Sequence, residues 1–191
     1  QTLFNLKADM QNSSYCIGDP KGDGLIQEIV RYCSPDGCED MLREILTTVV
    51  KLGLEHLDLG DYKLINTSLK ELRHAMRIFV PYRKSLKAVI FGSARTDKSD
   101  PCYQMAASLA EALAQKGIMV ISGAGGGIME AAHQGAGKGN SFGINIKLPF
   151  EQRANPFILG DPKLMTFKYF FTRKLIFIKE SNATVLFPGG F

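Results

Sequence analysis

From Lys87 onward, short apolar runs alternate with longer segments in which apolar residues recur every three or four positions. The runs KAVIFGS, IMVISG, FGINIK and ATVLFP predict buried strands, and a further short strand is predicted near Leu164. One intervening helix is predicted to begin at Pro101 behind an Asp100 cap, and another to cover about residues 168–180. Apolar strands separated by helices favour an α/β fold, a Rossmann-like parallel sheet with helices on both faces.

Residues 1–86 follow a different pattern. A polar, turn-rich start is followed by helical periodicity near residues 25–54, and a third helix is predicted to begin at Ser68, where Ser68 and Glu71 match a capping box. Amphipathic helices of this kind usually provide packing or dimer contacts. We therefore divide the chain into a helical N-terminal extension, residues 1–86, and a Rossmann-like nucleotide-binding domain, residues 87–191.

Composition and charge argue against several classes of function. The net charge is only +4, and no block of Lys and Arg is long enough to predict a nucleic-acid arm, so a small anion is the better partner for the basic excess. No apolar run approaches the length of a membrane span and no export signal is visible, which predicts a cytoplasmic protein without a membrane partner. The four cysteines lack the spacing of a zinc site, so no metal is predicted.

Small residues follow three of the predicted strands. Ligands of open parallel sheets bind outside the carboxyl ends of the strands, where glycines allow close approach and leave amide donors open to phosphate. The candidate contacts are Gly92 and Ser93 after the first strand, Gly125 and Gly126 after the second, and Gly189 and Gly190 after the last. For the middle turn, tight helix–strand packing without a ligand stays an alternative.

The Gly-rich turn does not match a dinucleotide fingerprint. In GAGGGI the last glycine of the motif is replaced by Ile128, and the next strand ends in Lys147 where an NAD site requires an acidic residue. The turn also follows the second strand rather than the first. A mononucleotide phosphate is therefore favoured over NAD, and no cofactor is predicted.

Two cations interrupt an apolar, aromatic segment, FKYFFTRKLIFIK. Arg173 and Lys174 must reach a ligand edge or pair with a carboxylate if they are buried, because unpaired charge is costly away from water. A solvated or salt-bridged helix face is the open alternative. Further polar candidates are Arg95, Glu130 and Glu151, and His133 is expected on a helix surface without a catalytic role.

Four segments, GAGGGIMEAAHQGA, FGINIKLPFEQRANPF, KYFFTRKLIF and LFPGGF, together resemble the LOG ("Lonely guy") or lysine decarboxylase-like family, in its bacterial branch with a helical N-terminal extension. The resemblance covers residues 87–191. It implies a homo-oligomer, at least a dimer, that hydrolyses the N-glycosidic bond of a nucleoside 5'-monophosphate to free base and ribose 5-phosphate. AMP or cytokinin riboside monophosphates are the implied substrates. Lysine decarboxylation is not expected, since no pyridoxal-phosphate lysine motif is present.

The resemblance also assigns roles to residues. It implies that Arg173 and Lys174 contact the nucleotide, that Arg173 takes part in catalysis and that Glu151 binds substrate. Gly189 and Gly190 match the start of a phosphate-binding motif, Pro-Gly-Gly-x-Gly-Thr-x-x-Glu, whose glutamate is the catalytic carboxylate. The sequence stops before that glutamate, so we expect a fragment that lacks the C-terminal part of the fold and is inactive by itself.

Two other functions are compatible with the residues. The domain could hold a nucleotide or a pterin-type cofactor without turnover. Alternatively, the helical extension could make the protein mainly an oligomeric interaction protein, a reading that no motif in residues 1–86 supports.

Overall fold

The computed structural model of the chain describes residues 15–33, 37–148 and 153–189. Its contacts divide the chain into two units, Gln1–Tyr62 and Lys63–Phe191. The boundary predicted between residues 86 and 87 lies further along the chain than this division, because the second unit includes most of the helix Leu59–Phe79. In the described ranges, no helix is long and apolar enough to cross a membrane.

The first unit is helical, as the periodicity near residues 25–54 predicts. Helix α1 (Pro20–Cys33) packs against helix α2 (Glu39–Leu52). The buried side chains on these helices are Ile26 and Val30 on α1 and Thr47 on α2. Helix α1 therefore follows its amphipathic sequence pattern, whereas α2 buries a polar residue and exposes Met41, Ile45 and Val49.

Helix α3 (Leu59–Phe79) begins well before Ser68, so the capping box predicted there is wrong. Ser68 lies inside the helix, and its hydroxyl donates to the Leu64 carbonyl at 2.8 Å. The reciprocal cap lies instead between Asp58 and Asp61, where each carboxylate accepts a hydrogen bond from the backbone amide of the other. Glu71, the other half of the predicted box, bonds to residues near the end of the chain.

Five strands in the described part of the chain form one parallel sheet in the order β4-β3-β2-β1-β5. The first three are buried along nearly their whole length, as continuous apolar runs predict. Each strand coincides with a predicted one. Their bounds are β1 (Lys87–Phe91), β2 (Met119–Ser122), β3 (Ser141–Ile146), β4 (Leu164–Phe167) and β5 (Ala183–Leu186).

Helices cover both faces of the sheet, which confirms the predicted Rossmann-like α/β class. Helices α4 (Pro101–Gln115) and α5 (Ile128–Ala136) pack with Ile90 and Val120 on one face. Helix α6 (Phe170–Glu180) and the end of α3 pack with Val89 and Ile121 on the other. The predicted cap of α4 is confirmed, since the backbone amide of residue 102 donates to the Asp100 carboxylate at 2.7 Å.

Helices α4 and α5 cross with almost no space between their backbones. A β-carbon on Gly135 of α5 would lie 2.0 Å from the carbonyl oxygen of Ala107 on α4. Alanines fill most of the rest of this contact, including Ala106, Ala110 and Ala131, all fully buried. The crossing therefore depends on small residues, and it holds the start of α5 firmly against the sheet.

Candidate functional site

Strand β1 lies between β2 and β5, and the connections on its two sides run over opposite faces of the sheet. Helix α4 joins β1 to β2 on one face, whereas α6 brings the chain from β4 to β5 on the other. The carboxyl ends of β1 and β5 therefore form a topological switch point, the place where open parallel sheets bind their ligands. Gly92–Ser93 and Pro188–Gly189 follow these two strand ends.

Ser93 is the meeting point of the three predicted turns. Gly189, with a φ of +79°, lies so close that an added β-carbon would be 2.8 Å from the Ser93 β-carbon. From the other side Gly127, with a φ of +59°, places an added β-carbon 2.2 Å from the Ser93 carbonyl oxygen. That carbonyl accepts the first backbone amide of α5, from Ile128, at 3.0 Å. Only glycines allow this approach, so the structure brings the predicted small-residue turns together at the switch point.

The Gly-rich turn after β2 is fixed by a residue that the sequence analysis did not single out, Asn155. Its side-chain amide donates to the Gly125 carbonyl at 2.9 Å, and its backbone amide donates to the Ala124 carbonyl at 2.8 Å. Ala124 has a φ of +65°, a left-handed conformation that is strained for a residue other than glycine. Gly126 lies against the carbonyl of Ala94, at 3.2 Å from an added β-carbon. Asn155 and the turn after β1 thus hold Gly125 and Gly126 in place.

Arg173 is anchored at the carboxyl ends of two strands. Its Nε–H donates to the Ile144 carbonyl on β3 at 2.8 Å, and its Nη2 donates to the Gly123 carbonyl after β2 at 3.3 Å. Among the described residues, no carboxylate lies within ion-pair distance of Arg173. Burial lowers the pKa of Arg173 to about 10, so the guanidinium keeps its charge at neutral pH. The predicted alternative of a salt-bridged helix face does not apply to Arg173 within this part of the chain.

Lys174 is exposed and, with Arg173, lines a cavity of about 500 Å³ beside α6. The wall of this cavity is otherwise largely apolar and aromatic, because it is formed by one face of the sheet and one side of α6. The remaining lining residues are Val89, Phe91, Phe170, Phe177, Ile178, Ser181 and Thr184. Phe91 ends β1 and directly precedes Gly92–Ser93, so the cavity adjoins the turn at the switch point.

Glu130, a further polar candidate, lies in the first turn of α5 and has an ion-pair partner. Its carboxylate is 2.8 Å from the Lys98 ammonium, and its side chain is only 15% exposed. This contact raises the pKa of Lys98. Arg95, in the same loop after β1, is exposed, and its backbone amide donates to the Ser93 hydroxyl at 3.1 Å. Glu130 is therefore an anchor for the loop after β1 rather than an open carboxylate.

The expectation that His133 lies on a helix surface is wrong. Its side chain is fully buried on α5, and neither ring nitrogen has a hydrogen-bond partner among the described residues. Burial lowers the pKa of His133 to about 4, and the nearby Asp161 offsets this only in part. Asp161 itself pairs with Lys163 at 2.9 Å, with both side chains largely buried. His133 is therefore neutral at physiological pH.

Two predicted site residues, Glu151 and Gly190, lie outside the described residues, and their roles stay predictions. Among residues 15–33, 37–148 and 153–189, no group of three or more His, Cys, Asp or Glu side chains could hold a metal ion. The site is therefore described by its glycine turns, Asn155, Arg173 and Lys174.

Comparisons with known proteins place these residues in a family. Residues 85–191 match the family model described as the SLOG cluster4 family. A solved structure, the X-ray structure of TM1055, a Northeast Structural Genomics Consortium target, is 25% identical, and the match covers 55% of this chain and 61% of that one. The TM-score of this match is 0.38. None of the curated proteins with which the chain was compared matches it.

Proposed function

The chain belongs to the SLOG cluster4 family of LOG-like proteins, and from this membership we propose that the protein hydrolyses the N-glycosidic bond of a nucleoside 5'-monophosphate. The products are the free base and ribose 5-phosphate. Family and fold support a nucleotide-processing Rossmann-like module. The hydrolysis itself and the residues that perform it are our proposal, and they rest on the contacts described above.

The observation that carries the proposal is the position of Arg173. A guanidinium that is half-buried, charged and without a carboxylate partner among the described residues is an anion site, because its remaining N–H groups face no fixed negative charge. Its two carbonyl contacts hold it beside the turn after β2. Lys174, next to it on the cavity wall, adds a second cation. We assign Arg173 to catalysis and Lys174 to substrate binding.

The phosphate is assigned to the turns that meet at Ser93. Backbone amides next to glycines and the N-terminus of α5 favour negative charge, and the Ser93 hydroxyl is a further donor. The contacts proposed are Gly92, Ser93, Gly125, Gly126, Gly189 and Gly190. The phosphate lies away from the bond that is cleaved, but its binding energy holds the ribose in the reactive position. This positioning raises the rate of bond cleavage.

Cleavage of the glycosidic bond builds positive charge on the ribose ring, so a carboxylate must face the ring and orient the attacking water. The resemblance assigns this role to a glutamate that follows the Pro-Gly-Gly motif and assigns substrate binding to Glu151. Arg173 cannot serve as the base, because it is protonated at neutral pH. Its contribution is to bind and orient the anion, and no metal or cofactor takes part in the proposed reaction.

The aromatic cavity wall favours a purine base. Phe91, Phe170 and Phe177 present apolar surface on which a flat base can pack, and the volume of about 500 Å³ accommodates a nucleotide. AMP and cytokinin riboside monophosphates both carry such a base. We propose this substrate class, and direct comparison of the two will identify the preferred member.

The test is to incubate the intact protein, since residues 1–191 lack the glutamate that the resemblance makes catalytic, with AMP, a cytokinin riboside monophosphate and a pyrimidine monophosphate, and to measure free base by chromatography. Arg173→Ala is expected to abolish release, whereas Arg77→Ala, which alters an exposed arginine on α3, is the matched control. Retained turnover in Arg173→Ala would contradict the catalytic role of Arg173. Nucleotide binding without release of any base would instead support the non-catalytic binding module.

The proposal includes self-association in the cytoplasm, at least as a dimer. Helix α6 exposes two large apolar side chains that do not line the cavity, Phe171 and Leu175, and such side chains are commonly covered in an oligomer. Sedimentation analysis at several protein concentrations tests this part. A monomer at all concentrations would contradict it without affecting the proposed chemistry.

A further inference from the structure

The carboxylate of Glu71 on α3 joins the helical extension to the helix that carries Arg173. One oxygen accepts the backbone amide of Lys168 at 2.5 Å, and the other accepts the Thr172 hydroxyl at 2.6 Å. Glu71 and its partners are separated by about a hundred residues of sequence, yet both carboxylate oxygens are used. Such two-point contacts to a charged group are stronger than ordinary neutral hydrogen bonds.

This contact fixes the start of α6, which has no side-chain cap of its own. The residue before α6, Tyr169, makes no side-chain capping hydrogen bond, so the helix start depends on partners from elsewhere. Glu71 supplies an acceptor and a negative charge at that start, where the helix dipole favours an anion. The first turn of α6 is therefore held by a residue of α3.

Arg173 directly follows Thr172 in this first turn. Thr172 is fully buried, and its hydroxyl lies 2.6 Å from the Glu71 carboxylate and 3.0 Å from the Tyr169 carbonyl, so the backbone that leads to Arg173 has little freedom. At the far end of the side chain, the guanidinium is fixed by the Ile144 and Gly123 carbonyls. The position of the first turn of α6 therefore determines whether the Arg173 side chain reaches these two carbonyls.

We propose that Glu71 is a positioning residue for Arg173: it fixes the start of α6 so that the guanidinium meets the carboxyl ends of β2 and β3. For catalysis, this inference rests on the function proposed above, whereas for geometry it stands on the hydrogen bonds alone. It also gives a role to the helical extension, whose sequence contains no motif for chemistry. A contact that served only to attach α3 would stabilise the fold without affecting the Arg173 guanidinium.

The geometric test uses the Nε–H resonance of Arg173 in ¹⁵N NMR, identified by its loss in Arg173→Lys. In Glu71→Ala we expect this proton to exchange with water at least about tenfold faster, because the hydrogen bond to Ile144 is weakened. Glu71→Gln retains one acceptor oxygen and should give an intermediate rate. Glu111→Ala, which removes an exposed glutamate from α4, is the matched control. Unchanged exchange in folded Glu71→Ala would overturn the proposal.

The catalytic test uses the intact protein and measures kcat and KM for base release from AMP, at a temperature where circular dichroism finds every variant folded. Misplacing Arg173 should lower kcat by about tenfold or more in Glu71→Ala, with partial recovery in Glu71→Gln. In Thr172→Val, a further Glu71→Ala change should have a smaller effect than in the wild type, because only the contact with the Lys168 amide is then left to lose. Turnover at the wild-type rate in Glu71→Ala would overturn the inference alone. A wild-type protein that binds AMP without releasing base would overturn the proposed hydrolysis, and the NMR exchange rates would still decide the role of Glu71.

Discussion

Gly189 packs directly on Ser93: the turn after the last strand touches the turn after the first, with room for no side chain between them. The two residues are 96 positions apart in the sequence, and their contact forms the β5 side of the switch point. We therefore expect the geometry of this contact to control phosphate binding.

Gly189→Ala should weaken AMP binding by about tenfold, because a left-handed alanine costs about 1–2 kcal/mol and its β-carbon displaces Ser93. Isothermal titration calorimetry measures the effect. Gly139→Ala is the matched control, since an added β-carbon there meets no atom within 4 Å. Equal affinities for the two variants would remove Gly189 from the proposed phosphate site.

Arg173→Lys should not preserve nucleotide binding, although it keeps the charge. A lysine ammonium cannot present the planar set of donors that reaches the Ile144 and Gly123 carbonyls and an anion at once. We expect AMP affinity to fall by about tenfold, measured by calorimetry at fixed salt. Lys179→Ala, at an exposed position of the same helix, should bind like wild type. Wild-type affinity in Arg173→Lys would mean that a positive charge at residue 173 is sufficient for AMP binding, without the planar donors of arginine.

Asn155→Ala should destabilise the fold and loosen the Gly-rich turn. The substitution leaves the buried Gly125 carbonyl without its side-chain donor, which costs about 1–3 kcal/mol. Urea denaturation gives the free energy of unfolding, and Asn140→Ala, at an exposed asparagine, is the control. A loss no larger than that of the control would show that the amide of residue 155 does not hold the turn.

The stability of the protein should fall with acidification because of His133. Its pKa is lowered from 6.5 to about 4 in the folded chain, so the unfolded chain takes up a proton first. The free energy of unfolding is unaffected by this group above pH 6.5 and decreases as the pH falls from 6.5 to 4, by about 3 kcal/mol in total. Denaturation at several pH values measures the slope.

His133→Leu removes the titrating group and should flatten this pH dependence, whatever it does to the absolute stability. His74→Leu alters an exposed histidine and should leave the slope unchanged. A slope that persists in His133→Leu would mean that groups other than His133 cause the acid sensitivity.

The sheet could be predicted from the sequence because its central strands are buried on both faces, so each appears as a continuous apolar run. The switch-point turns could be predicted for a similar reason, since glycines after strand ends mark close backbone approach. Arg173 was identifiable as a cation in an apolar segment. Its two carbonyl partners were not, because they belong to strands distant in sequence.

Predictions from the sequence were wrong where a residue in a local pattern contacts residues that are distant in the chain. Ser68 and Glu71 match a capping box, but Glu71 contacts Lys168 and Thr172 instead. Asn155 precedes a proline, which predicts only a turn, and nothing local indicates its contact with Gly125. His133 is polar, yet it lies among alanines of a helix that is buried on several sides. The small neighbouring residues therefore indicated burial better than the polarity of His133 indicated exposure.

The close crossing of α4 and α5 has a mechanical consequence. With the Gly135 backbone in contact with that of Ala107, neither helix can slide or tilt without a collision, so the two should move as one rigid body with the strands they cover. The opposite face carries the cavity, where the start of α6 is fixed by Glu71 and by the Arg173 guanidinium but exposed side chains such as Phe170 and Ile178 are free to move. We therefore expect any opening or closing around a nucleotide to be one-sided, with these cavity side chains moving over a sheet that stays fixed.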